Sequence, residues 1–105
     1  MSVDVLAIGA HPDDVELGCG GAIRKMVDQG YQVGVIDLTE GELGSRGSVE
    51  TRRHESAKAV EILGVQERVN LGIPDGRIEN SKSNQLKVIE VVRRLRPEIV
   101  LIGAP

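Results

Sequence analysis

His11, Asp13 and Asp14 fall within one short segment, Gly9-Ala10-His11-Pro12-Asp13-Asp14-Val15-Glu16, with a third carboxylate in Glu16. Two residues separate His11 from Asp14, and Pro12 stiffens the turn between them. That spacing lets both side chains converge on one point while Asp13 points elsewhere. A neutral imidazole nitrogen and a carboxylate oxygen are both good Zn²⁺ ligands, at about 2.0–2.2 Å. A catalytic zinc takes three protein ligands and one water, whose pKa it lowers to about 7. A neighbouring carboxylate that is not a ligand can accept that water's proton, and Asp13 is placed for this task. Asp and His ahead of a helix also serve as N-terminal caps, and that reading stays open on these residues alone. Two carboxylates beside a histidine shift the balance toward a cation site.

The elements that position this segment are short and regular. Val3 to Gly9 and Gln32 to Leu38 are β-branched and apolar on both faces, the pattern of strands buried in a parallel sheet. Ile23, Met26 and Val27 repeat at helical spacing, with Gly30 as a stop. Ser48 caps a second helix with Glu50 in its first turn, Ala57, Val60 and Leu63 on its apolar side, and Gly64 just past its end. Arg68 to Leu71 is a weaker third strand, and Gly72-Ile73-Pro74-Asp75-Gly76 is turn chemistry. Val88, Val91, Val92 and Leu95 mark a third helix closed by Pro97, and Glu98 to Ile102 is a fourth strand. The βαβαβαβ order predicts a Rossmann-like α/β/α sandwich, with a parallel sheet and right-handed crossovers. Strand order 3-2-1-4 would put the ligand site beyond the carboxyl ends of strands 1 and 4, where the order reverses.

Composition narrows the function classes. The chain has 105 residues, 13 Lys+Arg, 16 Asp+Glu and a net charge of -3, so it is read as one domain without the basic face that nucleic acid requires. No apolar run approaches the roughly 20 residues of a membrane span, and no signal-peptide pattern opens the chain. One cysteine cannot form an internal disulfide, which points to the cytoplasm. The 32 Val, Ile and Leu residues in periodic blocks argue against disorder.

Ala10-His11-Pro12-Asp13-Asp14-Val15-Glu16-Leu17-Gly18-Cys19-Gly20-Gly21 resembles the opening motif of the LmbE-like/PIG-L zinc deacetylases. The likeness continues through Asp37 to Ser45, through Arg52 with Glu55, and through Asn70 to Gly76. It implies removal of an acetyl group from an N-acetylglucosamine conjugate. The branch it most resembles makes bacillithiol, with N-acetylglucosaminyl malate as substrate. It also implies zinc on His11 and Asp14, Asp13 as general base, and Arg52 on the substrate or the tetrahedral oxyanion. Ser45 and Arg46 would contact the sugar hydroxyls or a carboxylate. The family's third zinc ligand is a histidine just after the fourth strand, a position this chain does not include. The expectation is therefore the amino-terminal part of such an enzyme, with weak metal binding and little turnover by itself, completed by a partner or a swapped segment. A homo-oligomer is expected from the open sheet edges.

Other features carry blander readings. Gly18-Cys19-Gly20-Gly21 opens the first helix by tight packing and does not fit the dinucleotide spacing. Cys19 is read as a small buried residue, against a reactive thiol of depressed pKa. His54 faces solvent beside Arg52 and Arg53, and those two arginines need an anion, or Glu50 or Glu55, to offset the helix dipole. Asp75 is a turn residue, Tyr31 lies along the first helix, and Arg93, Arg94 and Arg96 are a solvated face. The rival functions are a receiver-like signalling module, with Mg²⁺ on Asp13 and Asp14, and a cofactor-binding or purely structural half-domain without metal. The first needs an acceptor Asp at the end of the third strand and leaves His11-Pro12 unexplained.

Overall fold

The computed structural model describes residues 2–41, 48–76, 78 and 80–102. Four strands alternate with three helices: β1 (Val5–Gly9), α1 (Asp14–Asp28), β2 (Val33–Asp37), α2 (Val49–Leu63), β3 (Glu67–Asn70), α3 (Lys82–Leu95) and β4 (Ile99–Ile102). All pairings are parallel, in the order β3-β2-β1-β4. The carboxyl ends of the strands align, with Gly9 opposite Asp37 and Asp37 opposite Asn70.

The period-2 alternation of β1 divides the core. Val5 and Ala7 pack with Val33, Val35, Val15 and Ile23 under α1, with Val60 and Leu63 of α2 at the margin. Leu6 and Ile36 pack on the other face against Val91 and Leu95 of α3. This makes three layers, as the hydrophobic pattern predicts. Gly34 has no side chain where Leu95 Cδ1 would stand 3.4 Å from a Cβ, so α3 can lie close to the sheet. The predicted caps hold: Ser48 accepts from the Thr51 amide, and Gly64 ends α2 in the left-handed region at φ 73°.

Three local expectations change. First, α1 starts at Asp14 rather than at Gly18, and the glycine run lies inside it, around non-helical dihedrals at Cys19. Second, Tyr31 falls beyond α1, in the exposed connection to β2. Third, Ala57 is exposed, and α2 buries no residue fully.

Candidate functional site

The chain leaves β1 at Gly9 and turns sharply into α1. A Cβ at Gly9 would stand 2.9 Å from Val15 Cγ2 and 3.2 Å from Asp14 Cβ, so this close approach needs glycine. The turn brings His11 and Asp14 together. Asp14 Oδ2 accepts the His11 backbone N–H at 3.0 Å and lies 3.7 Å from His11 Nδ1. The other ring nitrogen, Nε2, is 2.8 Å from Asp75 Oδ1.

Asp13 occupies the N-cap position of α1 without making a side-chain cap bond, and its φ is 136°. A non-glycine residue held there costs on the order of 1–3 kcal/mol, and such strain clusters at working sites. The capping alternative is thus not what Asp13 does here. Its exposed side chain stands at the mouth of the sheet, in the same turn as the His11–Asp14 pair.

Two atoms that share an ion at about 2.0–2.2 Å each stand at most about 4.4 Å apart, so the 3.7 Å between Nδ1 and Oδ2 fits a common metal. Asp75 cannot join them, because it holds the opposite edge of the ring. Among the described residues no group of three or more His, Cys, Asp or Glu could hold a metal ion. His54 is exposed on α2.

Arg52 points back from α2 and donates from Nη1 to the Gly41 carbonyl at 2.9 Å. Gly41 has φ 72°, and a Cβ there would collide with that guanidinium. Arg53 grips Glu40 with both Nε and Nη2, at 3.1 and 2.7 Å. Its partner is therefore Glu40, rather than Glu50 or Glu55. Arg52 and Arg53 border a cavity of about 220 Å³, together with Pro12, Ser56, Arg68 and Asn70. Ser45 and Arg46 lie outside the described residues.

Beneath this rim is a buried charge triad. Arg68 is 7% exposed and bonds Asp37, 3% exposed, through Nε–Oδ2 at 2.6 Å and Nη2–Oδ1 at 2.9 Å. Its Nη2 also lies 2.9 Å from Glu16 Oε1, in the first turn of α1. Burial pushes the Asp37 carboxyl above its ordinary value, helped by the charges of Glu16 and Asp14 and opposed by Arg68. Asp37 and Glu16 in turn hold Arg68 up against its own burial. The triad ties β2 and β3 to the turn that carries Asp13 and Asp14.

Sequence reading missed two of these contacts. Asp75 is not merely a turn residue: it is the tertiary partner of His11, 64 positions away. Its only signal was its place after β3, at the functional edge. Arg68 carried a signal as a charge within a strand. Cys19 is half-buried, and its thiol is raised by burial and by Glu16, which overturns the depressed-thiol alternative. Arg94 is not simply solvated, since it bonds both oxygens of Glu67. The signalling-module reading fails at the end of β3, where Asn70 stands; its amide is engaged by the Thr39 carbonyl and the Gly72 N–H. No helix among the described residues is long and apolar enough to cross a membrane.

Comparison with known proteins finds related chains and solved structures of the same fold. The conserved protein TT1542 of Thermus thermophilus, whose crystal structure is known, superposes with a TM-score of 0.88 at 46% identity, over 93% of this chain and 44% of that one. Diacetylchitobiose deacetylase of Thermococcus kodakarensis is 35% identical over 96% of this chain and 40% of its own length. The 4-oxalmesaconate hydratase of Pseudomonas putida is 32% identical over 91% of this chain and 42% of its own length. The chain thus spans under half the length of these relatives. The family model described as PIG-L, GlcNAc-PI de-N-acetylase, matches residues 6–105, and the chain belongs to the PIG-L family.

Proposed function

We propose that this chain carries the metal-binding and proton-transfer half of a zinc-dependent N-deacetylase acting on a 2-acetamido sugar conjugate. The observation that carries the reading is the turn after β1. There Nδ1 of His11 and Oδ2 of Asp14 lie within reach of one ion, and the strained Asp13 sits between them in the chain without a cap bond. His11 and Asp14 hold the metal in this reading. A zinc ion bound there would supply Lewis acidity and a water acidified to a pKa of about 7.

Asp13 takes up the proton lost by the attacking water and delivers it to the amine as the amide C–N bond breaks. Its position outside the ligand pair keeps its lone pairs available for this. Arg52, whose Nη1 donates to the Gly41 carbonyl, faces the substrate and the developing oxyanion in this reading, a contribution of about 3–4 kcal/mol per donor in other enzymes. The cavity beside Arg52 receives the sugar conjugate, with Ser45 and Arg46 as further contacts. The malate conjugate of bacillithiol synthesis is the finer reading of the substrate, and the protein is proposed to act in the cytoplasm as a homo-oligomer.

The test pairs metal content with turnover. In the enzyme completed by its remaining segment, Asp13→Ala should retain zinc by elemental analysis and release no amine from N-acetylglucosaminyl malate or diacetylchitobiose. Loss of zinc from that variant makes Asp13 a ligand and overturns its role. The hydratase relative supplies the second reading, which gains if the wild-type protein releases no acetate yet adds water to an unsaturated dicarboxylate.

A further inference from the structure

We infer that Asp75 is a positioning residue for the metal site: it fixes the tautomer and ring orientation of His11, so that Nδ1 is the ligating nitrogen. This rests on the proposed metal role of His11 and adds a residue to it. An ionised carboxylate can only accept hydrogen bonds, so the 2.8 Å contact between Nε2 and Asp75 Oδ1 requires the proton on Nε2. A neutral imidazole with its proton there carries its lone pair on Nδ1. The 3.7 Å from Nδ1 to Asp14 Oδ2 is too long for a hydrogen bond, so Asp14 does not hold a proton on Nδ1. The ring is thus clamped on one edge and presents a lone pair on the side where Asp14 also points.

Asp75 is itself well held. Its side chain is only 10% exposed, against 41% for His11. The segment before it is pinned to the end of β2, with the Ile73 N–H on the Leu38 carbonyl at 2.9 Å and the Ile73 side chain buried. Gly76, left-handed at φ 81°, shares its turn. The carboxylate therefore stays in place while the more exposed imidazole is oriented by it. Carboxylate–histidine–metal relays of this kind raise ligand basicity, and losing the outer partner typically costs about 10–100-fold in metal affinity.

Two readouts on the 105-residue chain decide the matter. The chain has only two histidines, so ¹⁵N-histidine NMR of the metal-free protein, assigned with His54→Gln, reports the His11 tautomer directly. The expected result is Nε2–H in the wild type and a loss of that preference in Asp75→Ala and Asp75→Asn. Circular dichroism confirms that each variant is folded, and the isosteric Asp75→Asn serves where Asp75→Ala does not fold. Zinc affinity by chelator competition should fall about 10–100-fold in the same variants. A dominant Nδ1–H tautomer in the wild type overturns the inference, and so does zinc affinity within twofold of wild type in both variants. Should zinc binding prove insensitive to His11→Ala, the metal reading itself fails, whatever the tautomer. Should His11→Ala abolish binding while the Asp75 variants keep it, the role of Asp75 alone fails.

Discussion

Replacing Arg68 by Met is expected to destabilise the protein by about 3–4 kcal/mol at pH 7, and by less at pH 5. The substitution keeps most of the side-chain volume and removes the charge that faces Asp37 and Glu16. Asp37, 3% exposed, is left as a buried carboxylate without its two guanidinium bonds. Breaking such a pair costs about 3–5 kcal/mol. Proton linkage bounds the ionisation part of that cost, because a stranded carboxylate can escape by taking a proton. From an ordinary value of about 4, neutralising it at pH 7 costs about 1.4 kcal/mol per unit, or roughly 4 kcal/mol in all. That part shrinks to under about 2 kcal/mol at pH 5, so the penalty falls as acid is added. The sign agrees with linkage: a folded-state pKa above the unfolded one means extra native protons, and stability declines as pH rises between the two values. Wild-type Asp37 is shifted in the same direction, so the wild type shows the same trend more weakly. Glu16 is more exposed and adds less. Urea unfolding followed by circular dichroism suits a chain without tryptophan. A penalty below about 1 kcal/mol at pH 7, or one that does not change with pH, would refute the reasoning.

Two further outcomes follow from the site and the sheet. Gly41→Ala forces a β-carbon into the left-handed region and against Arg52, so thermal unfolding should show a loss of about 1–2 kcal/mol. In the completed enzyme, displacing Arg52 in this way should lower kcat/KM by up to about 100-fold, and an unchanged kcat/KM would remove Arg52 from the site. The open β4 edge exposes Ile99, Val100 and Ile102, so the 105-residue chain should self-associate in sedimentation velocity. Ile99→Lys should shift it toward monomer, whereas an unaltered distribution would place the contact elsewhere.

Much of the scaffold was legible because its signals are local. Two buried strands show as apolar runs, Ser48 and Gly64 bracket α2 by cap chemistry, and the alternation of strands with helices implies parallel pairing, for which the structure supplies the order β3-β2-β1-β4. The His11–Asp14 spacing was readable for the same reason, since four consecutive residues in one turn suffice to build it. The start of α1 was misread because glycines were taken as its boundary, whereas the kink at Cys19 lets the helix run through them.

Local pattern in the chain decided the elements, their apolar faces and the turn that carries the reactive groups, since each depends on residues a few positions apart. Only folding decided which nitrogen of His11 is clamped and which charge accompanies Asp37. The partners lie 64 and 31 positions away, and the sheet brings them together at its carboxyl edge. A side chain's neighbours across a parallel sheet are set by register and crossover, and no spacing along the chain records them.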